Sequence, residues 1–260
     1  MPTIAVLFLV IDALPFADIW QRWAASSRTH PRSARVRFFL HAKDRDALLC
    51  DRRTPRWVRE CTLPISYRPE WGSVELVRAT LALVEEALRD ASVDWLLLAS
   101  ESCLPVKSLD AALRALTSAD AGAGRSWLLY DLPHSRYDAE RFDTLRSCGV
   151  PPTAICKADQ WFCLTRCHAQ AVVDGGRDVF WRAFKTITAS DEWYFPTCMC
   201  LSTFLDLAVL RTHDDAVKDQ ERRRELYGPR LPLPPLATVE DHGNVAGACI
   251  AVSVLRSVIP

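Results

Sequence analysis

The chain has 260 residues, 32 of them basic and 32 acidic, so its formal charge is zero. That length suits one large domain, and 49% hydrophobic with 25% charged residues is a globular rather than a disordered composition. Balanced charge argues against a nucleic-acid partner, while leaving room for a local basic pocket.

The run from Ile4 to Val10 has no basic lead-in and meets a charge at Asp12. It fits neither a secretory signal nor a membrane span, which needs about 20 apolar residues. The expectation is a soluble, cytoplasmic protein without a membrane span. Ten cysteines form no Cys-x-x-Cys pair. Without a targeting segment they are expected to be mainly reduced, buried thiols. The single asparagine, Asn244, lies outside any glycosylation sequon.

Taken in order, Ile4 to Val10 reads as a strand buried on both faces. Pro15 then opens a helix with Phe16, Ile19, Trp20 and Trp23 on one face. Val36 to His41 is a second strand, and Leu63 to Tyr67 a short third one. Ser73 is placed to cap a helix in which Val74, Val77, Leu81, Val84 and Leu88 recur at helical spacing. Asp94 to Ala99 is a fourth strand; Ser108 caps a helix carrying Leu109, Leu113 and Leu116; Ser126 to Tyr130 is a fifth strand.

The second half is less regular. Residues 131–156 read as a long loop with a short helix near Glu140. Trp161 to Thr165 is a strand and Cys167 to Val173 a helix. Another helix starts at Asp191, where two acids suit the positive end of its dipole. Gly228 to Pro235, with four prolines, is a loop.

Strands alternating with helices imply a single α/β domain around a mostly parallel sheet. Ligands bind such sheets beyond the carboxyl ends of the strands. Those ends are Asp12, His41 to Asp44, and Ser100 to Cys103.

Several segments carry candidate chemistry. Ser100-Glu101-Ser102-Cys103-Leu104-Pro105 follows an apolar strand. Enzymes that use nucleotide-sugars often place a metal-binding Asp-x-Asp there, and this chain has no such pair at that point. Glu101 is either a contact to a donor or acceptor, or part of a polar strand end turned by Pro105. Asp44-Arg45-Asp46 matches Asp-x-Asp but comes too early, and surface charge explains it better. Lys157 to Arg166 joins charge, amide and aromatic groups, as a sugar site does and as a core strand with a polar lead-in also does. Asp191-Glu192 offers a carboxylate base for a hydroxyl proton, or acids that only stabilise a helix start.

Cys163, Cys167, Cys198 and Cys200 have no standard zinc spacing and read as thiols. Arg222-Arg223-Arg224, with Lys218 and Arg230, is either a diphosphate site or a solvated helix face. No Walker A loop, G-x-S-x-G elbow or G-x-G-x-x-G run is present.

Together these segments resemble the core-2/I-branching glycosyltransferase family, with its plant relatives and peptide O-xylosyltransferases. The resemblance runs through Ile4 to Val10, Phe38 to Ala42, Trp71-Gly72-Ser73, Leu97 to Pro105, Gln160 to Arg166 and Asp191 to Thr197, in family order. It covers residues 3–205, so residues 1–205 are read as the core and 206–260 as a divergent C-terminal segment of the same domain. The resemblance implies a GT-A type, Rossmann-like fold. It also implies a UDP-sugar donor, GlcNAc or xylose, and a glycan or glycoprotein acceptor. Inverting transfer without a metal or other cofactor follows from it.

Carried over, Glu192 aligns with the catalytic base. Val10, His41 and Ala42 fall in the uridine region, and Ser100 and Glu101 at the donor sugar. Arg222 and Arg223 are the choice for the diphosphate. Trp71, Lys157, Gln160, Trp161 and Asp191 belong to the acceptor surface. Family members usually carry a membrane anchor and stem, and Ala158-Asp159 replaces the usual Gly-Ser before Gln160. The rival expectations are a carbohydrate-binding or scaffold protein that has lost the chemistry, and another nucleotide-dependent α/β enzyme.

Overall fold

The computed structural model describes residues 1–26, 34–117, 126–131, 136–152, 154–175, 181–210, 236–238 and 251–252. Its main sheet has the order β2-β1-β3-β6-β5-β7. The strands are β1 (Thr3–Val10), β2 (Arg35–Ala42), β3 (Trp95–Ser100), β5 (Ser126–Asp131), β6 (Lys157–Thr165) and β7 (Leu236–Thr238). Pairing is parallel for β1 with β2, β1 with β3, and β5 with β7. Strand β6 runs antiparallel to both β3 and β5. The expected mostly parallel sheet, flanked by helices in the GT-A manner, is thus present, with one reversed strand. A separate ladder joins β4 (Leu104–Pro105) to β8 (Ala251–Val252).

The continuous apolar run of β1 has a direct cause. Ala5, Leu7 and Leu9 face one core, shared with helices α4 (Val74–Leu88), α7 (Arg166–Gly175) and α9 (Ser190–Leu210). Ile4, Val6, Phe8 and Val10 face the other, shared with α1 (Ala17–Ala25) and α5 (Leu109–Thr117). In β3 the split repeats, with Leu96 and Leu98 on one side and Leu97 and Ala99 on the other. A central strand covered on both faces has no polar positions to spare. Each buried Val, Leu, Ile or Phe among them contributes about 1.5–3 kcal/mol.

Helix α1 packs through Ala17, Trp20 and Trp23. Its Ile19 is exposed, because it lies to one side of the stripe that the two tryptophans set. The indole N–H groups of Trp20 and Trp23 donate to the carbonyls of Cys103 and Lys107, at 3.1 and 2.8 Å. Both bonds hold the segment after β3 in place. Ser108 caps α5 as expected, its Oγ accepting the Ala111 N–H at 3.2 Å.

Four expectations need correction. Leu63 to Tyr67 is not a strand: only Leu63 joins β2, donating to the Leu40 carbonyl at 2.8 Å, and Pro64 has no N–H to continue a ladder. Ser73 begins α4 without a side-chain cap, and its Oγ instead accepts the Glu70 N–H at 3.1 Å within the preceding turn. Residues 131–156 contain the 12-residue helix α6 (Arg136–Ser147). Strand β6 begins at Lys157 rather than Trp161, because Ala158 turns inward to the core. Gly228 to Pro235 lies outside the described residues.

Candidate active site

The C-terminal ends of β1, β2, β3 and β5 share one sheet edge with the N-terminal start of β6, as the pairing directions require. The β3–β6 ladder stops at Leu97 opposite Cys163. Continuing that register brings Ser100 level with Gln160. Beyond the ladder, among the described residues, the first half of β6 pairs only with β5 in the main sheet. The N-terminus of α9 packs beside this part of β6 through Phe195 and Phe162, whose rings are 5.2 Å apart.

Glu192 lies in the first turn of α9, half-exposed. Lys157 Nζ is 3.8 Å from Glu192 Oε2, and the lysine side chain is only 16% exposed. Asp191, one residue earlier, is buried, and burial pushes its carboxyl up to about 6. Loss of hydration disfavours the charged form, and the neighbouring Glu192 carboxylate adds to the effect.

The start of α9 is held from three directions. Ser190 Oγ lies 2.8 and 2.9 Å from the carbonyls of Phe184 and Ile187. Gly72 O accepts the Ala189 N–H at 2.7 Å. Both residues of that pair have positive φ, +68° for Gly72 and 55° for Ala189. Trp71 sits on the turn so anchored and is 93% exposed. Helix α9 therefore brings together Glu192, Asp191, Lys157 and, through the backbone clasp, the Trp71 turn. Gln160 and Trp161 follow on the same strand as Lys157, both partly exposed.

Val10, His41, Ala42, Ser100 and Glu101, expected at the donor, lie along the same edge. Val10 and Ala42 are buried, so only their backbone and immediate neighbours face the edge. His41 is 1% exposed, and its Nε2 accepts the Tyr67 N–H at 2.9 Å. Burial lowers its pKa to about 4, so the ring is neutral and stacks on Tyr67 at 5.8 Å. Arg78 covers the Tyr67 ring at 4.9 Å. The His41 imidazole thus shapes the edge by fixing the 62–73 connection rather than by reaching into solvent. Ser66 Oγ adds contacts to the Ala42 and Lys43 carbonyls at 2.8 and 2.9 Å.

Ser100 Oγ lies 2.9 Å from Ser102 Oγ in the turn after β3. Glu101 is partly buried, which raises its pKa, and the Asp12 carboxylate raises it further. Asp12 is therefore an additional polar group of this edge. The only sequence signal for it was its place at the end of β1. Arg222 and Arg223 lie outside the described residues.

Other motifs resolve as structural. Asp44 caps the short helix Arg45–Cys50, its Oδ1 accepting the Ala47 N–H at 3.2 Å. Arg166 donates to the carbonyls of Leu88, Asp90 and Val93 at 2.6, 2.9 and 3.2 Å, closing the C-terminal end of α4. Cys103, Cys156, Cys163, Cys198 and Cys200 are buried, but Cys50, Cys148 and Cys167 are exposed, so the thiols divide between core and surface. Among the described residues no three His, Cys, Asp or Glu side chains gather as a metal site. No described helix is long and apolar enough to cross a membrane.

A sequence profile of the core-2/I-branching enzyme family matches residues 4–223. With this sheet, and with acids and a lysine at its carboxyl edge, the chain belongs to that glycosyltransferase family. The match extends past residue 205 and ends at Arg223, so it takes in Lys218, Arg222 and Arg223. Among curated proteins, "Glycosyltransferase BC10" of Oryza sativa subsp. japonica is 23% identical over 212 residues, covering 75% of this chain. The chain spans about half (50%) of that relative's length.

Proposed function

We propose that the chain transfers a sugar, GlcNAc or xylose, from a UDP-sugar to a hydroxyl of a glycan or glycoprotein, with inversion and without a metal. The observation that carries this reading is the placement of Glu192. It is a half-exposed carboxylate at a helix start, 3.8 Å from Lys157, on the carboxyl edge of a mostly parallel sheet.

In the reaction, Glu192 takes the proton of the acceptor hydroxyl as that oxygen attacks the anomeric carbon. The bond from this carbon to the diphosphate breaks on the opposite face, and UDP leaves with the electron pair. Lysine and arginine side chains, Arg222 and Arg223 among them, offset the charge on the diphosphate. Lys157 orients Glu192 and borders the acceptor, with Gln160, Trp161 and Asp191 beside it. Trp71 offers an indole face for a sugar ring. Backbone groups of Val10 and Ala42 line the uridine region, and Ser100 and Glu101 face the donor sugar.

The test is the thermal unfolding midpoint with UDP in EDTA, against ADP and GDP. A ligand bound only by the folded state raises the midpoint by mass action. A rise selective for UDP supports the reading. No rise at millimolar UDP, together with glycan binding, contradicts it in favour of a carbohydrate-binding protein. A rise that needs Mn²⁺ or Mg²⁺ contradicts metal independence.

A further inference from the structure

From the contacts of Thr197 we infer that it is a positioning residue for the transfer: it fixes Lys157 beside Glu192 by clamping the backbone of Cys156. The inference rests on the reading of Glu192 as the base.

Thr197 is fully buried on α9, five residues after Glu192. Its hydroxyl makes two bonds to one residue. Oγ1 accepts the Cys156 N–H and donates to the Cys156 carbonyl, each at 3.2 Å. Cys156 immediately precedes Lys157, the first residue of β6. The helix that carries the carboxylate therefore also grips the chain that delivers the ammonium. Cys200, one turn further along α9, touches the same residue, with the two Sγ atoms 3.3 Å apart.

The clamp acts where β6 has left its ladder to β3 and where α9 carries a proline. The ladder to β3 ends at Cys163, so among the described residues, 157–162 pair in the main sheet with β5 alone. That pairing is itself irregular, with a register shift between Leu128 and Tyr130. On the helix side, Pro196 interrupts the first turns of α9. Proline has no N–H to donate to the carbonyl four residues back, which is that of Glu192, and its ring crowds that carbonyl. The first turn of α9 therefore depends on ties from outside the helix. Thr197 supplies one such tie to the start of β6, beside the Phe195–Phe162 ring contact.

The chemistry at 197 is specific to a β-hydroxyl. A valine fills the same space and neither donates nor accepts, so two buried backbone groups lose their partner. A serine keeps both bonds. A shift of the reacting groups by about 1 Å can cost up to about a hundredfold in rate.

The experiment compares Thr197→Val, Thr197→Ser and Lys157→Met in the full chain, measuring UDP release, UDP-sugar KM and the unfolding midpoint. The inference predicts that Thr197→Val loses about ten- to a hundredfold in kcat, with donor KM within about twofold. Thr197→Ser recovers most of kcat. In a Lys157→Met background the Thr197→Val change has little further effect, since the group it positions is gone. Thr197→Ala removes the same two bonds and replaces Thr197→Val if that variant does not fold. Where neither folds, hydrogen exchange on the wild type and Thr197→Ser serves. Protection of the Cys156 amide at the level of the α9 core supports the clamp, and rapid exchange overturns it. A folded Thr197→Val with wild-type kcat also overturns the inference. So does a loss of kcat that is undiminished in the Lys157→Met background. If Glu192→Gln keeps full turnover, the assignment of the base has failed, and that result is separate from either outcome at Thr197.

Discussion

The Gly72 carbonyl accepts the Ala189 N–H at 2.7 Å, joining two residues that both have positive φ. A Cβ built on Gly72 lies 3.1 Å from Ala189 N, a backbone atom that cannot swing away. Replacing Gly72 by alanine combines the strain of a left-handed alanine with that contact, about 1–2 kcal/mol together. Gly72→Ala is expected to lower the urea midpoint and to lower sugar transfer more steeply than stability explains, because the start of α9 shifts. Ala189→Gly is the opposite case. Relief of strain and added unfolded-state entropy offset each other to within about 0.5 kcal/mol. Urea unfolding with parallel transfer assays checks both.

Asp191 gives a pH dependence of defined sign. Its carboxyl ionises near 3.8 when unfolded and at about 6 when folded. The unfolded chain releases this proton first, so the contribution is fully present below pH 3.8 and is lost as pH rises through about 6. The change is at most about 3 kcal/mol. Asp191→Asn is therefore expected to be more stable than wild type above pH 6, with the difference shrinking toward pH 4.

His41 acts in the opposite direction over the same window. Burial lowers its pKa from 6.5 to about 4. The unfolded chain takes up the proton first on acidification, so stability is present above pH 6.5 and is lost as pH falls through about 4, again by about 3 kcal/mol. The two slopes nearly cancel in the wild type. Asp191→Asn should leave a stability that rises with pH between 4 and 6.5. His41→Gln, which keeps an acceptor for the Tyr67 N–H, should leave one that falls. Unfolding midpoints at half-unit pH steps reveal whether the single variants diverge in this way.

Arg166 separates stability from activity. Its guanidinium serves three carbonyls at the end of α4, remote from Glu192 in the chain and on the opposite end of β6 from Lys157. Arg166→Met is expected to cost about 2–3 kcal/mol in chemical denaturation. Donor and acceptor KM values should stay at wild type under conditions where the variant is folded.

Much of this fold was legible because the first half follows simple periodicities. The unbroken apolar run of β1 marked a strand covered on both faces, and Ser108 capped α5 where its spacing placed it. Helix α6 is legible only as a short helix near Glu140, because Arg136 to Ser147 is mostly polar, with Phe142 and Leu145 its main core contacts. Its surface is knit by pairs such as Arg146 with Asp143 at 3.1 Å, which leave no hydrophobic stripe to read. Leu63 to Tyr67 looked like a strand by composition, but side chains and one backbone bond hold it instead. At the candidate site, motif resemblance pointed to Glu192 and Lys157, which lie 3.8 Å apart. It gave no hint that Gly72 grips Ala189 or that Thr197 grips Cys156, because contacts between distant backbone segments leave no local pattern. The sequence marked His41 as a strand-end candidate, but not as a buried, neutral acceptor.

Single-turnover sugar transfer by Glu192→Gln, with UDP affinity measured on the same preparation, decides whether Glu192 is the base. A general base of this kind contributes about 10²–10⁴-fold. A loss of that size is expected, with UDP affinity within about twofold of wild type, since glutamine keeps the shape and removes only the basic oxygen. Transfer at the wild-type rate by a variant that still binds UDP would contradict it and remove Glu192 from the mechanism.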